Sequence, residues 1–248
     1  MIRFPLVFLL ATAAGDALPH ELWRGDFETG NLAQWDRLQR VAADRITVVR
    51  DPVTQGRWAA RFEVRQGDNP LPPVHGHRAS GDRAELVQRT MEDEGQERTY
   101  AWSTLFPVGF PAVLPSPADP YAFQLFAQWH QEAQTGSPPV YFQAFGDRIG
   151  LATNQRGSTG EYHGGPLHWQ APMDRGRWHH FRLTVHWSAD PARGALELWH
   201  DGALALPRKA VATLIPGQRN YLKLGLYRSS AIQATGIVFQ DGFHIQQQ

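Results

Sequence analysis

No stretch of this 248-residue chain repeats its apolar residues at helical spacing for long enough to make a main element. The apolar residues instead fall in short segments that alternate with polar ones or run β-branched. Glycine, proline, aspartate and asparagine separate these segments. Strands are expected over 45–50, 59–64, 83–87, 99–106, 122–131, 140–145, 149–154, 177–187, 195–200, 221–227 and 237–245. Gly146-Asp147-Arg148 and Asp201-Gly202 read as hairpin turns, the second of type I′. The segments 67–82, 107–120 and 155–176 read as loops. Many short strands at turn spacing mean an all-β sandwich of the jelly-roll kind. Neither repeats nor a break in composition divide it, so residues 20–248 are expected to form one domain.

Length and composition narrow the class. About 230 residues can bury a full core without covalent staples. Cysteine is absent, which excludes disulfides, thiol chemistry and cysteine-based zinc sites. Lys plus Arg balance Asp plus Glu at 24 each, so the whole molecule has no pull toward nucleic acid or a membrane surface. Residues 1–19 read as a secretory signal peptide. Arg3 precedes a short apolar run from Phe4, and small residues follow around Ala11–Ala17. That run is too short to span a bilayer. The expected product is secreted or periplasmic, and monomeric.

Three of the expected strands place an unusual set of side chains on one face. In 124–131, alternation puts Gln124, Phe126, Gln128 and His130 on one side, and Leu125, Ala127 and Trp129 on the other. In 221–227, Leu222, Leu224 and Leu226 face inward while Tyr221, Lys223 and Tyr227 face out. In 83–87, Arg83 and Glu85 oppose Ala84 and Leu86. Any half-wet sheet alternates in this way. The residue choice is what stands out, because exposed strand positions usually take Thr, Ser, Lys or Glu. The chain also has 22 arginines and only two lysines, Lys209 and Lys223, so a lysine on this face is a specific choice of a compact cation. Together the three strands could floor a polar groove suited to proton chemistry on an acidic substrate. His75 and His77 lie on the loop that enters it.

The order Arg83-Ala84-Glu85-Leu86, then Gln128-Trp129-His130, then Tyr221-Leu222-Lys223-Leu224-Gly225-Leu226-Tyr227-Arg228 resembles the concanavalin-like jelly-roll polysaccharide lyases. The runs 178–188 and 194–202 resemble the same group. The likeness is greatest to the heparin-lyase-I-like and glucuronan lyases, and looser to the jelly-roll alginate lyases. It spans about residues 83 to 228. By this resemblance, Arg83 and Gln128 hold a substrate carboxylate, His130 and Tyr227 transfer protons, and Lys223 contacts substrate; Glu85, on the same face as Arg83, and His77, on the entering loop, are further candidates for substrate contact. Alginate lyases often carry a second arginine where this chain has Val87, which favours a glucuronan-like polymer.

The implied reaction is β-elimination at a uronic acid. The C5 proton lies α to a carboxylate, so that carboxylate must be neutralised as negative charge develops on it. Arg83 and the Gln128 amide supply donors. His130 suits the base and Tyr227 the acid that protonates the leaving O4, although Tyr227 flanked by cations could also serve as base. The reaction requires no cofactor and no catalytic metal. A structural Ca²⁺ held by Glu28 and Asp241 is compatible with such a fold. Two other readings remain: a glycoside hydrolase on the same fold, and a carbohydrate-binding module without chemistry. The first needs paired carboxylates, and these strands are short of acids. The second has no need of Gln128, His130 and Tyr227 together.

Overall fold

Strands with one apolar side hide it by packing sheet against sheet. The computed structural model of the chain does this with two antiparallel sheets. It describes residues 20–71, 81–117, 119, 122–133, 136–154 and 165–247; the expected signal peptide, His75 and His77 lie outside these. In chain order the strands are β1 (His20–Gly25), β2 (Arg37–Gln39), β3 (Ile46–Val49), β4 (Ala59–Val64), β5 (Asp82–Glu92), β6 (Glu97–Leu105), β7 (Gln124–Gln131) and β8 (Val140–Phe145). They continue as β9 (Arg148–Thr153), β10 (Leu167–Pro172), β11 (Trp178–His186), β12 (Ala195–His200), β13 (Ala203–Ala210), β14 (Asn220–Arg228) and β15 (Gly236–Gln247).

One sheet runs β13-β12-β11-β6-β15-β4-β3, with β1 paired to the C-terminal half of β15. The other runs β10-β9-β8-β7-β14-β5-β2. Among the described residues the helical structure is a single 3-10 turn, Ala43–Arg45. No described helix is long and apolar enough to cross a membrane.

The core fills the space between the sheets. Phe181, Leu183 and Val185 of β11 and Tyr100 and Trp102 of β6 face Ala127 and Trp129 of β7 and Leu222, Leu224 and Leu226 of β14. Trp102 stacks on Phe181 at 5.0 Å and meets Phe142 of the opposite sheet edge-on at 5.1 Å. Full burial of each such ring contributes about 1.5–3 kcal/mol. At the β12–β13 turn, Asp201 and Gly202 have φ of 50° and 80°, as a type I′ turn requires.

Four strands depart from the sequence expectation. β1 precedes the first expected strand, β10 forms inside the segment read as loop, β13 follows the type I′ turn, and β2 is a three-residue edge strand. The alternation of β7 also slips. The register against both β8 and β14 shifts between Leu125 and Ala127, a β-bulge. Phe126 therefore joins the core beside Ala127, and Leu125 turns to the outer face with Tyr141 and Ala152. From Ala127 to His130 the expected alternation holds.

Glu92 ends β5 deep in the core. Its Oε1 accepts from Tyr100 at 2.8 Å, and the Tyr100 hydroxyl accepts from Trp187 Nε1 at 3.0 Å. Burial raises the Glu92 pKa to about 7. Between about pH 4.5 and 7 the folded state holds a proton there that the unfolded state has released. Stability therefore falls as pH rises through that window and is flat above it. Thermal melts at pH 5 and pH 8 should show a smaller loss for Glu92→Gln than for the parent. An equal loss in both would mean that Glu92 is not the group that titrates.

Candidate active site

Strands β5, β14 and β7 lie side by side, and their register assembles the outer face of the second sheet. Arg83 stands opposite Tyr227, Glu85 opposite Gly225 and Val87 opposite Lys223. On the other flank Lys223 stands opposite Gln128, and Tyr221 opposite His130. Each of the expected residues 83, 85, 128, 130, 223 and 227 is thus brought to one face. Gly225 is required here. It has φ of 143°, and a β-carbon would fall 2.3 Å from the Ala84 carbonyl oxygen and 2.8 Å from the Phe62 ring.

Although this face points away from the core, its polar side chains are sunk from solvent. Arg83, Glu85, Gln128 and Lys223 are all buried. Glu85 organises them. It accepts from Arg83 Nη1 at 3.1 Å and, through its other oxygen, from Gln128 Nε2. The Arg83 guanidinium also lies over the Tyr227 ring at 3.8 Å, a cation–π contact that fixes its plane. Tyr227 is held from behind by Phe123 at 4.7 Å, and its hydroxyl accepts weakly from the Gly81 amide at 3.4 Å.

Two polar atoms of this set have no hydrogen-bond partner although buried: Arg83 Nε and Gln128 Oε1. A buried unsatisfied group costs about 1–3 kcal/mol. Both lie on one cationic face, and a ligand that supplies an acceptor and a donor would satisfy them.

His130 is partly buried and held in one tautomer. Its Nδ1–H donates to the Gln131 carbonyl at 2.9 Å, and the Gly136 backbone is a second hydrogen-bond partner of the ring. Burial, then the Lys223 charge and further Arg83, hold its pKa down at about 3. The imidazole is therefore neutral at pH 7. Burial also lowers Lys223 to about 8, with Arg83 and Arg37 pushing the same way and Glu85 opposing them.

Other residues on this face were not anticipated. Arg37 and Gln39 of β2 pair with Val87 and Glu85, and the Arg37 charge acts on both Lys223 and Tyr221. Tyr141 of β8 stands opposite Gln128, and its hydroxyl accepts from the Gly165 amide at 3.3 Å. A three-residue edge strand leaves no periodic signal, and Tyr141 sits in an ordinary apolar strand. Glu28 and Asp241 spend three of their four oxygens on the backbone amides of residues 54, 55, 57 and 58. Asp241 Oδ1 alone is left, whereas Ca²⁺ takes six to eight oxygens. The pair fits a brace for the 54–58 turn better than a calcium cage.

A jelly-roll sandwich with such a face defines a class of carbohydrate-active proteins, and comparison of the chain places it further. The chain belongs to the polysaccharide lyase family, whose model matches residues 27–244. A search of curated proteins finds no sequence relative. Among solved structures the chain is similar to an endo-β-1,4-glucuronan lyase from the fungus Trichoderma reesei, at 18% identity and a TM-score of 0.69, covering 92% of this chain and 96% of that one. It is also similar to a family 7 alginate lyase, at 11% identity and a TM-score of 0.58, covering 83% of each chain. A β-glucanase catalytic domain from Podospora anserina has 16% identity and a TM-score of 0.59, with 92% of this chain and 96% of that one covered. At these identities the likeness establishes the jelly-roll fold; the family match makes the protein a polysaccharide lyase.

Proposed function

We propose that this lyase cleaves an acidic polysaccharide of the glucuronan type by β-elimination, leaving an unsaturated uronate at the new non-reducing end. The observation that carries this reading is the joining of Arg83 and Gln128 through Glu85, next to a neutral His130 on the same face. The substrate carboxylate takes the open donor of Arg83 and the second N–H of the Gln128 amide. These donors stabilise the charge that grows on the carboxylate as C5 loses its proton. His130 Nε2 removes that proton, and the Tyr227 hydroxyl protonates the departing O4.

Burial and the charges of Lys223 and Arg83 keep His130 a weak base. A bound carboxylate offsets the fields of Arg83 and Lys223, which strengthens the base as the substrate arrives. The Trichoderma reesei neighbour acts on glucuronan, and the arginine seen in alginate lyases is replaced by Val87; both favour a glucuronan-like chain. The hydrolase alternative would need a pair of carboxylates about 5–9 Å apart flanking the bond. Glu85 is the acid this face offers among the described residues, and it is committed to Arg83 and Gln128. The leader-like residues 1–19 support export, which N-terminal sequencing of the processed protein would test.

The direct assay is ultraviolet absorbance of products from glucuronan, alginate, hyaluronan and heparin-type chains. Glucuronan should give the largest signal, and no absorbance on any uronic polymer would end this reading. With the preferred polymer, His130→Ala should lose about 100-fold or more in kcat with little change in KM, and Tyr227→Phe nearly as much. Full activity in Tyr227→Phe would remove it as the acid.

Lys223 predicts the alkaline limb. Its folded pKa near 8 means that the groove loses a cation above that pH, so kcat/KM should fall there. Lys223→Arg keeps its charge and should move the fall to higher pH. The same limb in both proteins would assign it to another group.

A further inference from the structure

At the end of the sandwich, away from the groove, two histidines and an aspartate converge. His179 lies on β11, His200 ends β12, and Asp201 opens the type I′ turn that follows. His179 Nδ1 is 3.1 Å from His200 Nε2, and that nitrogen is 3.7 Å from Asp201 Oδ2. The ligand atoms of the three residues lie within 4.8 Å of one another. Two ligands on one tetrahedral Zn²⁺, each bonded at about 2.0–2.1 Å, stand roughly 3.3 Å apart. The two imidazoles already have that spacing.

From this juxtaposition we propose that His179, His200 and Asp201 form a binding site for a divalent ion that accepts nitrogen ligands, of which Zn²⁺ is the type. A water completes the fourth position. His179 is buried, whereas the His200 and Asp201 side chains keep 14% and 21% of their surface exposed, so the ion enters from solvent. The proton shared between the two imidazoles moves to the other nitrogen of its own ring. Both rings stay neutral, and no proton need be released. Asp201 is already aimed, because its Oδ1 accepts the His180 amide at 2.8 Å. Its Oδ2 now meets Arg177 at 3.1 Å, but that arginine is largely exposed and has a second partner in Asp174 at 3.4 Å. Arg177 can leave toward Asp174 as the ion arrives.

The site would act as a clamp. It joins neighbouring strands of the first sheet, and Trp169 of the second sheet packs on the His200 ring at 4.8 Å. An ion here fixes one end of the sandwich without touching the Arg83–Gln128 face. The inference does not depend on the identity of the sugar polymer.

The test uses the full chain without a histidine tag, stripped with a chelator and titrated with ZnCl2 by calorimetry and thermal melting. One Zn²⁺ per chain should bind, and Tm should rise by about 5 °C at about a hundredfold excess over Kd. Co²⁺ in its place should give the visible absorption of a four-coordinate nitrogen and oxygen site. His200→Gln and Asp201→Asn, both at partly exposed positions, should remove the rise while melting near the metal-free parent. If His200→Gln fails to fold, Asp201→Asn decides alone. No rise in the parent, or an equal rise in the folded variants, overturns the site and assigns any binding to other histidines.

Discussion

The Glu85 carboxylate is the contact on which the rest of the site depends. It sits on the outer face of a β-strand, yet it is buried among two cations and an amide. Without it, Arg83 and Lys223 would be two buried like charges, each expensive to keep out of water. With it, one charge is balanced, and the surplus is a single positive charge that a substrate carboxylate can offset. Glu85 also sets geometry. The same carboxylate that holds Arg83 draws in the Gln128 amide, so the two donors present themselves together rather than as separate side chains.

The fold supports this by making the face rigid. Behind Arg83, Lys223 and Gln128 stand Ala84, Leu224 and Ala127, which belong to the continuous core between the sheets. The β7 bulge turns Leu125 toward the groove side, where it packs with Tyr141 and Tyr227. Gly225 lets β14 pass close to Ala84 without a side chain. Tyr227 is thereby fixed in a stack under Arg83. Positioning a general acid and a carboxylate clamp on one inflexible sheet favours catalysis by preorganisation over catalysis by closure.

Much of this was legible in the sequence. Alternation in 83–87, 127–130 and 221–227 has period two, and a period of two assigns a face unambiguously while the register is unbroken. The reading failed where that condition failed. The bulge swapped Leu125 and Phe126, because a bulge is a property of pairing between strands and not of one strand. Arg37 was invisible because β2 is too short to carry a period. β10 reads as loop because its neighbours are rich in glycine, histidine and proline, although 167–172 pairs with β9 through one irregularity between Leu167 and Trp169. The cluster of His179, His200 and Asp201 was hidden for a different reason. Its members come from separate strands, and only their pairing in space reveals it.

The central claim is electrostatic: burial and the cations of the groove hold His130 neutral and weakly basic until an acidic ligand compensates them. Nitrogen-15 NMR of the imidazoles, titrated with and without an unreactive uronate oligosaccharide, tests it most directly. The account predicts that free His130 titrates near pH 3, as the Nδ1–H tautomer, and that the bound ligand raises this value well above 3. A free His130 that titrates near the ordinary histidine pKa of about 6.5 and does not respond to the ligand would contradict it.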